Sequence, residues 1–232
     1  MKERPILFSA QMVRALLAGT KSQTRRVVKP QPTKAAGTHR GYPLPLMAND
    51  WAWPHPRTSG ATTISNRPNG PLGWEIHCPY GQPGDRLWVR ETFTTKDRDG
   101  EFTYAPFYLA DVTDPYGLCL TTEDGPRYVE QLRWTPSIHM PRKASRLTLE
   151  ITGVRVERLQ SISEADAIAE GLDFVPDGAA AHGIKGLATS WSNDPRKSYR
   201  ALWESINGPG SWEANPWVWV VEFKLVGNGG VA

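Results

Sequence analysis

The amino-acid sequence predicts a mainly β fold of the α+β class: a small, bent β-sheet or barrel with a few short helices and long loop insertions. Three observations carry this. Apolar residues alternate over short runs bounded by Gly, Pro and Asn. The longest run, Ser145–Leu159, changes phase at Gly153, from Leu147, Leu149 and Ile151 to Val154 and Val156, as a bulge or barrel-closing bend would require. And no regular helices separate the strands, which argues against a doubly wound parallel sheet.

The elements follow in order. Ile6–Phe8 reads as a short strand, and Ser9 caps a helix whose Met12, Val13, Leu16 and Leu17 share one face. Gly19 sits where a left-handed helix cap belongs, and residues 21–28 read as a turn running into a strand that Pro30 stops. Gly81-Gln82-Pro83-Gly84-Asp85 is a turn, followed by a strand alternating Leu87 and Val89 with Trp88 and Arg90. Phe102–Leu109 is a further strand. Ser163 caps a short helix ending near Glu170-Gly171, and Asp194-Pro195 opens a helix bearing Tyr199, Leu202, Trp203 and Ile206. Residues 217–223 form a final strand buried on both faces at its start. The 232 residues suit one domain, 1–232, with insertions at about 31–73, 110–130 and 173–198, the last read as a Gly/Ala/Asp loop.

Composition narrows the function classes. With 39% apolar residues the chain buries a core, and no run approaches the ~18 apolar residues of a membrane span. The opening MKERPILFSAQM has no apolar h-region, so a signal peptide is not expected, and two cysteines make no disulfide framework; a cytoplasmic location is expected. The net charge of +3 conceals an asymmetry: residues 1–50 carry nine Lys or Arg against two acids, net +7, on a body of net −4. That is a footprint for a phosphate-bearing partner or a solvated basic face. No P-loop, dinucleotide-binding glycine motif, nucleophile elbow or zinc-protease motif is present. His77-Cys78 is a weak metal signal that lacks two further ligands, so no metal and no cofactor are expected.

Three clusters could carry chemistry. In Gly19-Thr20-Lys21-Ser22-Gln23-Thr24-Arg25-Arg26, a helix end presents an amine, hydroxyls and guanidinium groups at one turn. A hydroxyl becomes a nucleophile when a base takes its proton, and a lysine serves as base only with a depressed pKa, which Arg25 and Arg26 promote by like-charge repulsion. The two arginines could equally bind phosphate, and the whole turn could simply solvate a helix end. Glu170, at the negative end of a helix, is a candidate acid/base group or an ordinary exposed helix-end glutamate. Trp134, Ser137 and His139, in a Pro-bounded loop, could stack and bond a nucleobase; a packed loop histidine is the alternative for His139. An ideal strand would put Lys21 and Thr24 on opposite faces, so their convergence requires Lys21 to precede the strand.

The Leu-Ala-Gly-x-Lys-x-x-Thr-x-Arg unit at 17–26, Pro83-Gly84-Asp85, and the helix from Ile162-Ser163-Glu164 to Glu170 resemble the ASCH domain family. Arg4-Pro5-Ile6-Leu7-Phe8, Gln23-Thr24-Arg25-Arg26, Ser137–Pro141 and Leu202–Asn207 are similar to its long phage and prophage members. The resemblance implies a PUA-like β-barrel and an association with RNA. One branch of the family hydrolyses the amide of N4-acetylcytidine with a Lys, a Thr and a Glu, which carry to Lys21, Thr24 and Glu170. The expected partners are RNA, a nucleoside or modified nucleic acid, contacted by Arg25, Arg26, Trp88, Trp134, Ser137 and His139. A non-catalytic reader stacking bases on Trp88 or Trp134, and a metal-independent ribonuclease, are the alternative functions.

Overall fold

The alternating runs become five strands of one sheet: β1 (Glu3–Leu7), β2 (Gln23–Val27), β3 (Arg86–Arg90), β4 (Leu147–Arg158) and β5 (Trp217–Asn228), in the order β1-β3-β4-β5-β2. They belong to a computed structural model that describes residues 1–29, 31, 78–96, 102–112, 132–176, 181–184 and 187–228. Elsewhere it describes only the backbone of short strands, at 33–34, 38–39, 42–43, 51–54, 61–64, 119–122 and 125–128. β1 pairs with β3 in parallel, and every other pairing in the sheet is antiparallel. The class is α+β, with three α-helices among the described residues. The hydrogen-bonded ladder is open, with β1 and β2 as edges. Arg26 bridges those edges by donating from Nη2 to the Leu7 carbonyl at 2.6 Å.

Side-chain alternation explains the layers. Leu87, Val89, Leu147, Leu149 and Ile151 all point into one core. The pairing of β4 with β5 slips between Ile151 and Gly153, as the phase change predicts. β5 lies between two apolar clusters. Trp219, Val221 and Phe223 enter the first, with Phe8 and helix α1 (Ala10–Leu17), whereas Val218 and Val220 enter the second, with Leu159, Tyr199 and Leu202. A strand covered on both faces needs a continuous apolar run, which is how residues 217–221 read.

The helix starts are set by side-chain caps. Ser9 Oγ accepts from the Met12 amide, Ser163 Oγ from Asp166 at the start of α2 (Glu164–Ala169), and Asp194 from Arg196 at the start of α3 (Pro195–Asn207). α3 buries Tyr199, Leu202 and Trp203; Ile206, read as part of the same face, is 54% exposed.

One expectation is corrected. Residues 173–198 are not a loop: Asp173–Val175, Ala181–Ile184 and Leu187–Ser192 form a three-stranded antiparallel sheet. It packs on α3, where Ser198 Oγ donates to the His182 carbonyl at 2.7 Å and Ile184 joins the second core. Strands of three to six residues, one of them interrupted by Gly183, carry too little alternation to be read locally. In the expected 110–130 insertion, Cys119–Thr122 pairs with Gly125–Tyr128, while Pro30, His77 and most of 31–73 lie outside the described residues. Among the described residues no helix is long and apolar enough to cross a membrane.

Gly171 fixes how closely the end of α2 approaches the end of α1. Its φ is +93°, and a Cβ there would lie 2.8 Å from Ala15 Cβ and 3.0 Å from Lys21 Cβ. Gly171→Ala is therefore expected to lower stability by about 1–3 kcal/mol, from backbone strain and displacement of Lys21. Denaturant midpoints check this, and an unchanged midpoint would contradict it.

Candidate functional site

The site is built where the end of α1 meets the end of α2. Gly19, with φ +73°, reverses the chain, and the amides of Thr20 and Lys21 both donate to the Ala15 carbonyl, at 2.9 and 3.1 Å. This places Lys21 in the turn before β2, the condition its convergence with Thr24 requires. A single antiparallel bridge then pairs Lys21 with Glu170, the residue that closes α2.

Side-chain bonds complete the junction. Lys21 Nζ donates to the Glu170 carbonyl at 2.7 Å and to Oε2 at 3.1 Å, while Arg25 Nη1 donates to the other carboxylate oxygen, Oε1, at 3.3 Å. The Lys21 and Arg25 side chains are wholly inaccessible, and that of Glu170 is 3% exposed. Gln23 and Arg25 lie two apart in β2 and both reach α2. Gln23 Nε2 donates to the Asp166 carbonyl at 2.8 Å, and Arg25 Nη2 to Asp166 Oδ2 at 3.1 Å and Glu157 Oε2 at 3.2 Å. Arg155, one-third exposed, bonds Asp166, Glu157 and Glu222, so a charge network runs from the surface to the buried pair.

Burial sets the protonation chemistry. Removal from water pulls the pKa of Lys21 down; Glu170 pushes it back up and the charges of Arg26 and Arg25 lower it again, leaving it below its ordinary value. Burial, followed by the charge of Glu170, holds the Tyr199 hydroxyl well above the ordinary tyrosine range. Burial favours the neutral form of Asp166, but Arg25 and Arg155 outweigh it and its carboxyl lies below the usual range.

Glu170, although 3% exposed, is among the residues lining two cavities. A cavity of about 360 Å³ is lined by Thr24, Arg26, Lys29, Glu170, Tyr199 and Trp203, among others, with Arg25 also contributing to its wall. A second, of about 230 Å³, is lined by Glu170, Gly171, Thr20 and Arg14, and shares Met12 and Leu202 with the first. The larger lies at the small end of the roughly 300–1,000 Å³ of ligand pockets, the size of one small molecule or one nucleotide unit. Thr24, 2% exposed, shares this lining with Glu170. Lys21 lines neither cavity; its contact with them is Glu170.

The other residues singled out from the sequence separate into different places. Arg25, expected to meet a ligand phosphate, has both terminal nitrogens committed to carboxylates and serves to position Glu170. Arg26 lines the larger cavity and stacks over Phe8 at 5.5 Å. Trp88, Trp134, Ser137 and His139 line neither cavity. Trp88 lies on β3 near the guanidinium groups of Arg90 and Arg142, at 5.5 and 6.0 Å. Trp134 packs on Val112 and Leu132, and Ser137–His139 is a short 3-10 turn with His139 exposed. Among the described residues no three His, Cys, Asp or Glu side chains are grouped to hold a metal ion.

Four participants were not legible as site residues. Tyr199 and Trp203 read as helix core, and Lys29 carried no signal of its own. Asp166 had a usable signal: four residues before Glu170, it falls on the same face of a helix. No protein-family model matches this chain, and no curated protein or solved structure matches it either.

The depressed pKa of Lys21 has a consequence for stability. The unfolded chain holds the lysine proton up to the ordinary value near 10.5, while the folded chain releases it earlier. The cost of the buried charge is thus fully present below the folded pKa and is relieved as pH rises towards 10.5. Tyr199 acts oppositely only above its ordinary value of 10.0, where the folded chain keeps a proton that the unfolded chain loses. Lys21→Met is expected to remove a rise in stability across the alkaline range below about pH 10. Denaturation curves at a series of pH values measure it; parallel profiles for both chains would contradict the assignment.

Proposed function

We propose that this chain is an ASCH-like protein acting on modified nucleosides or RNA, and that it hydrolyses the amide of N4-acetylcytidine with Lys21, Thr24 and Glu170. The observation that carries the reading is the buried Lys21–Glu170 pair, whose glutamate is among the residues lining the cavity that Thr24 also lines. The curled sheet supports the finer architecture, a PUA-like bent barrel, because Arg26 ties its two edge strands together.

The chemistry follows from the pair. Burial lowers the pKa of Lys21, and its amine stands 3.1 Å from the Glu170 carboxylate. The Glu170 carboxylate takes the proton of Thr24 or of a water and becomes a carboxylic acid, with the Lys21 ammonium remaining beside it. The freed oxygen attacks the acetyl carbonyl, and Arg26 stabilises the oxyanion. When the tetrahedral intermediate collapses, the C–N bond breaks as Glu170, now an acid, protonates the leaving N4 amine. Where Thr24 is the nucleophile, water then releases acetic acid from its ester.

A second reading, a non-catalytic nucleobase reader, is favoured by the engagement of both Glu170 oxygens by cations, as in a purely structural ion pair. Turnover separates the two. Incubated with N4-acetylcytidine, the unsubstituted chain is expected to release cytidine on chromatography. Glu170→Gln, with folding verified by circular dichroism, is expected to lose roughly 10²–10⁴ of that rate. Lys21→Ala should lose a similar factor, and the double variant should be little worse than either single one, because the groups act as a unit. Binding without release would leave the reader.

A further inference from the structure

β2 is an edge strand, and four of its residues line the 360 Å³ cavity. In an antiparallel ladder, alternate residues turn both backbone groups to the neighbouring strand, and the residues between them turn both outward. The Phe223 amide donates to the Ser22 carbonyl at 2.9 Å and the Val28 amide to the Trp217 carbonyl at 3.0 Å. Between those bonds the register is unbroken, from Gln23 opposite Glu222 to Val27 opposite Val218. Thr24 and Arg26 therefore face β5, and the backbone groups of Gln23, Arg25 and Val27 point outward.

Both ends of this outward edge are closed. Before it, the Ser22 amide donates to the Ala169 carbonyl at 2.9 Å, Lys21 bridges Glu170, and Gln23 reaches the Asp166 carbonyl. Beyond it, Gln31 Nε2 donates to the Val28 and Trp217 carbonyls at 2.7 and 2.9 Å, and its Oε1 accepts from the Trp217 amide at 2.7 Å. Arg25 and Val27 remain, and both line the cavity. The Arg25 side chain is wholly inaccessible while the residue is 4% exposed, so what it shows to the outside is main chain. Val27 is half-buried. Among the described residues no strand or side chain pairs with the Arg25 carbonyl or the Val27 amide.

A carbonyl at one residue and an amide two residues on set an acceptor beside a donor on the same side of the strand. A peptide that adds as a strand pairs along a longer edge than this one. The planar edge of a nucleobase needs only such a pair. We infer that the free edge of β2 reads the Watson–Crick edge of cytosine, with the Arg25 carbonyl accepting from the exocyclic N4–H and the Val27 amide donating to N3. This rests on the reading of the cavity as a nucleoside site. Met12 and Leu202, lining the same space, supply apolar surface for the ring. N4-acetylcytosine keeps one N4–H and its N3 acceptor, so substrate and product both match. Uracil sets a carbonyl oxygen against the Arg25 carbonyl and an N3–H against the Val27 amide. Mismatch of this kind discriminates strongly, since the polar groups of the site are then left unpaired.

The test is isothermal titration with cytidine, uridine and 3-deazacytidine, which has a C–H in place of the N3 acceptor. Val27→Pro removes the outward N–H and spares the ladder to β5, because an edge strand accommodates proline where its nitrogen faces outward. Val27→Ala is the control: it trims a side chain that packs on the second core and keeps the N–H. The unsubstituted chain is expected to bind cytidine about tenfold or more tighter than either other ligand. Val27→Pro should cost about tenfold for cytidine and nothing for 3-deazacytidine, while Val27→Ala keeps the preference. The inference is overturned if Val27→Pro binds cytidine undiminished or loses both ligands equally, or if Val27→Ala loses the preference as well. If Val27→Pro does not fold, the unsubstituted chain decides through the ligand ranking and through amide exchange, where cytidine but not 3-deazacytidine should protect the Val27 amide. Equal affinity for cytidine and either other ligand, or no such protection, overturns it. Binding of cytidine without these differences removes only the role of the β2 edge; failure to bind any of the three removes the nucleoside reading as well.

Discussion

The Glu170 carboxylate, shared between Lys21 and Arg25, is the contact on which the rest of the site depends. It joins residues 149 positions apart, the turn after α1 and the end of α2, and nearly all of it is out of water. Removing one partner of a buried pair typically costs about 3–5 kcal/mol, because the other charge stays buried and unpaired; replacing the whole pair with apolar residues is often neutral. Stability alone therefore gives little reason for an ion pair here. Its position on a cavity wall gives a functional one.

Each neighbouring element can be understood by what it does to that carboxylate. The reversal at Gly19 brings Lys21 to it, and Gly171 lets the two chain ends approach without a side chain between them. β2 presents Gln23 and Arg25 to α2, so that Asp166 and Glu170 are held from the same strand. Arg155 and Glu157 extend the network outward, leaving both terminal nitrogens of Arg25 engaged and Arg26 lining the cavity with no carboxylate partner among the described residues. α3, docked on the second face of β5, supplies Tyr199 and Trp203 to the opposite wall. Met12 and Leu202, common to both cavities, divide the space on either side of Glu170.

Local signals in the sequence reached surprisingly deep into this arrangement in some places and stopped short in others. The helix caps at Ser9, Ser163 and Asp194, the left-handed Gly19 and the slip at Gly153 are decided within a few residues, and each is found where the sequence places it. The small sheet at 173–192 escaped because its strands are stabilised by packing on α3, a contact no local pattern encodes. Glu170 could be singled out by chemistry, but its engagement by Arg25 depends on the pairing of β2 with β5 and on the docking of α2. Trp203 looked like core because it is core; that it also lines a cavity follows from the docking of α3, which no local pattern encodes. The loop bearing Trp134 and His139 shows the converse, a suggestive composition that folds away from both cavities.

The most direct test of the central claim, that burial beside Glu170 depresses the pKa of Lys21, is an NMR titration of the Lys21 ε-amine in the folded chain. Selective labelling with assignment by Lys21→Met isolates its resonance. The account predicts titration below the ordinary lysine value. A Lys21 that titrates at or above its ordinary value would contradict the account.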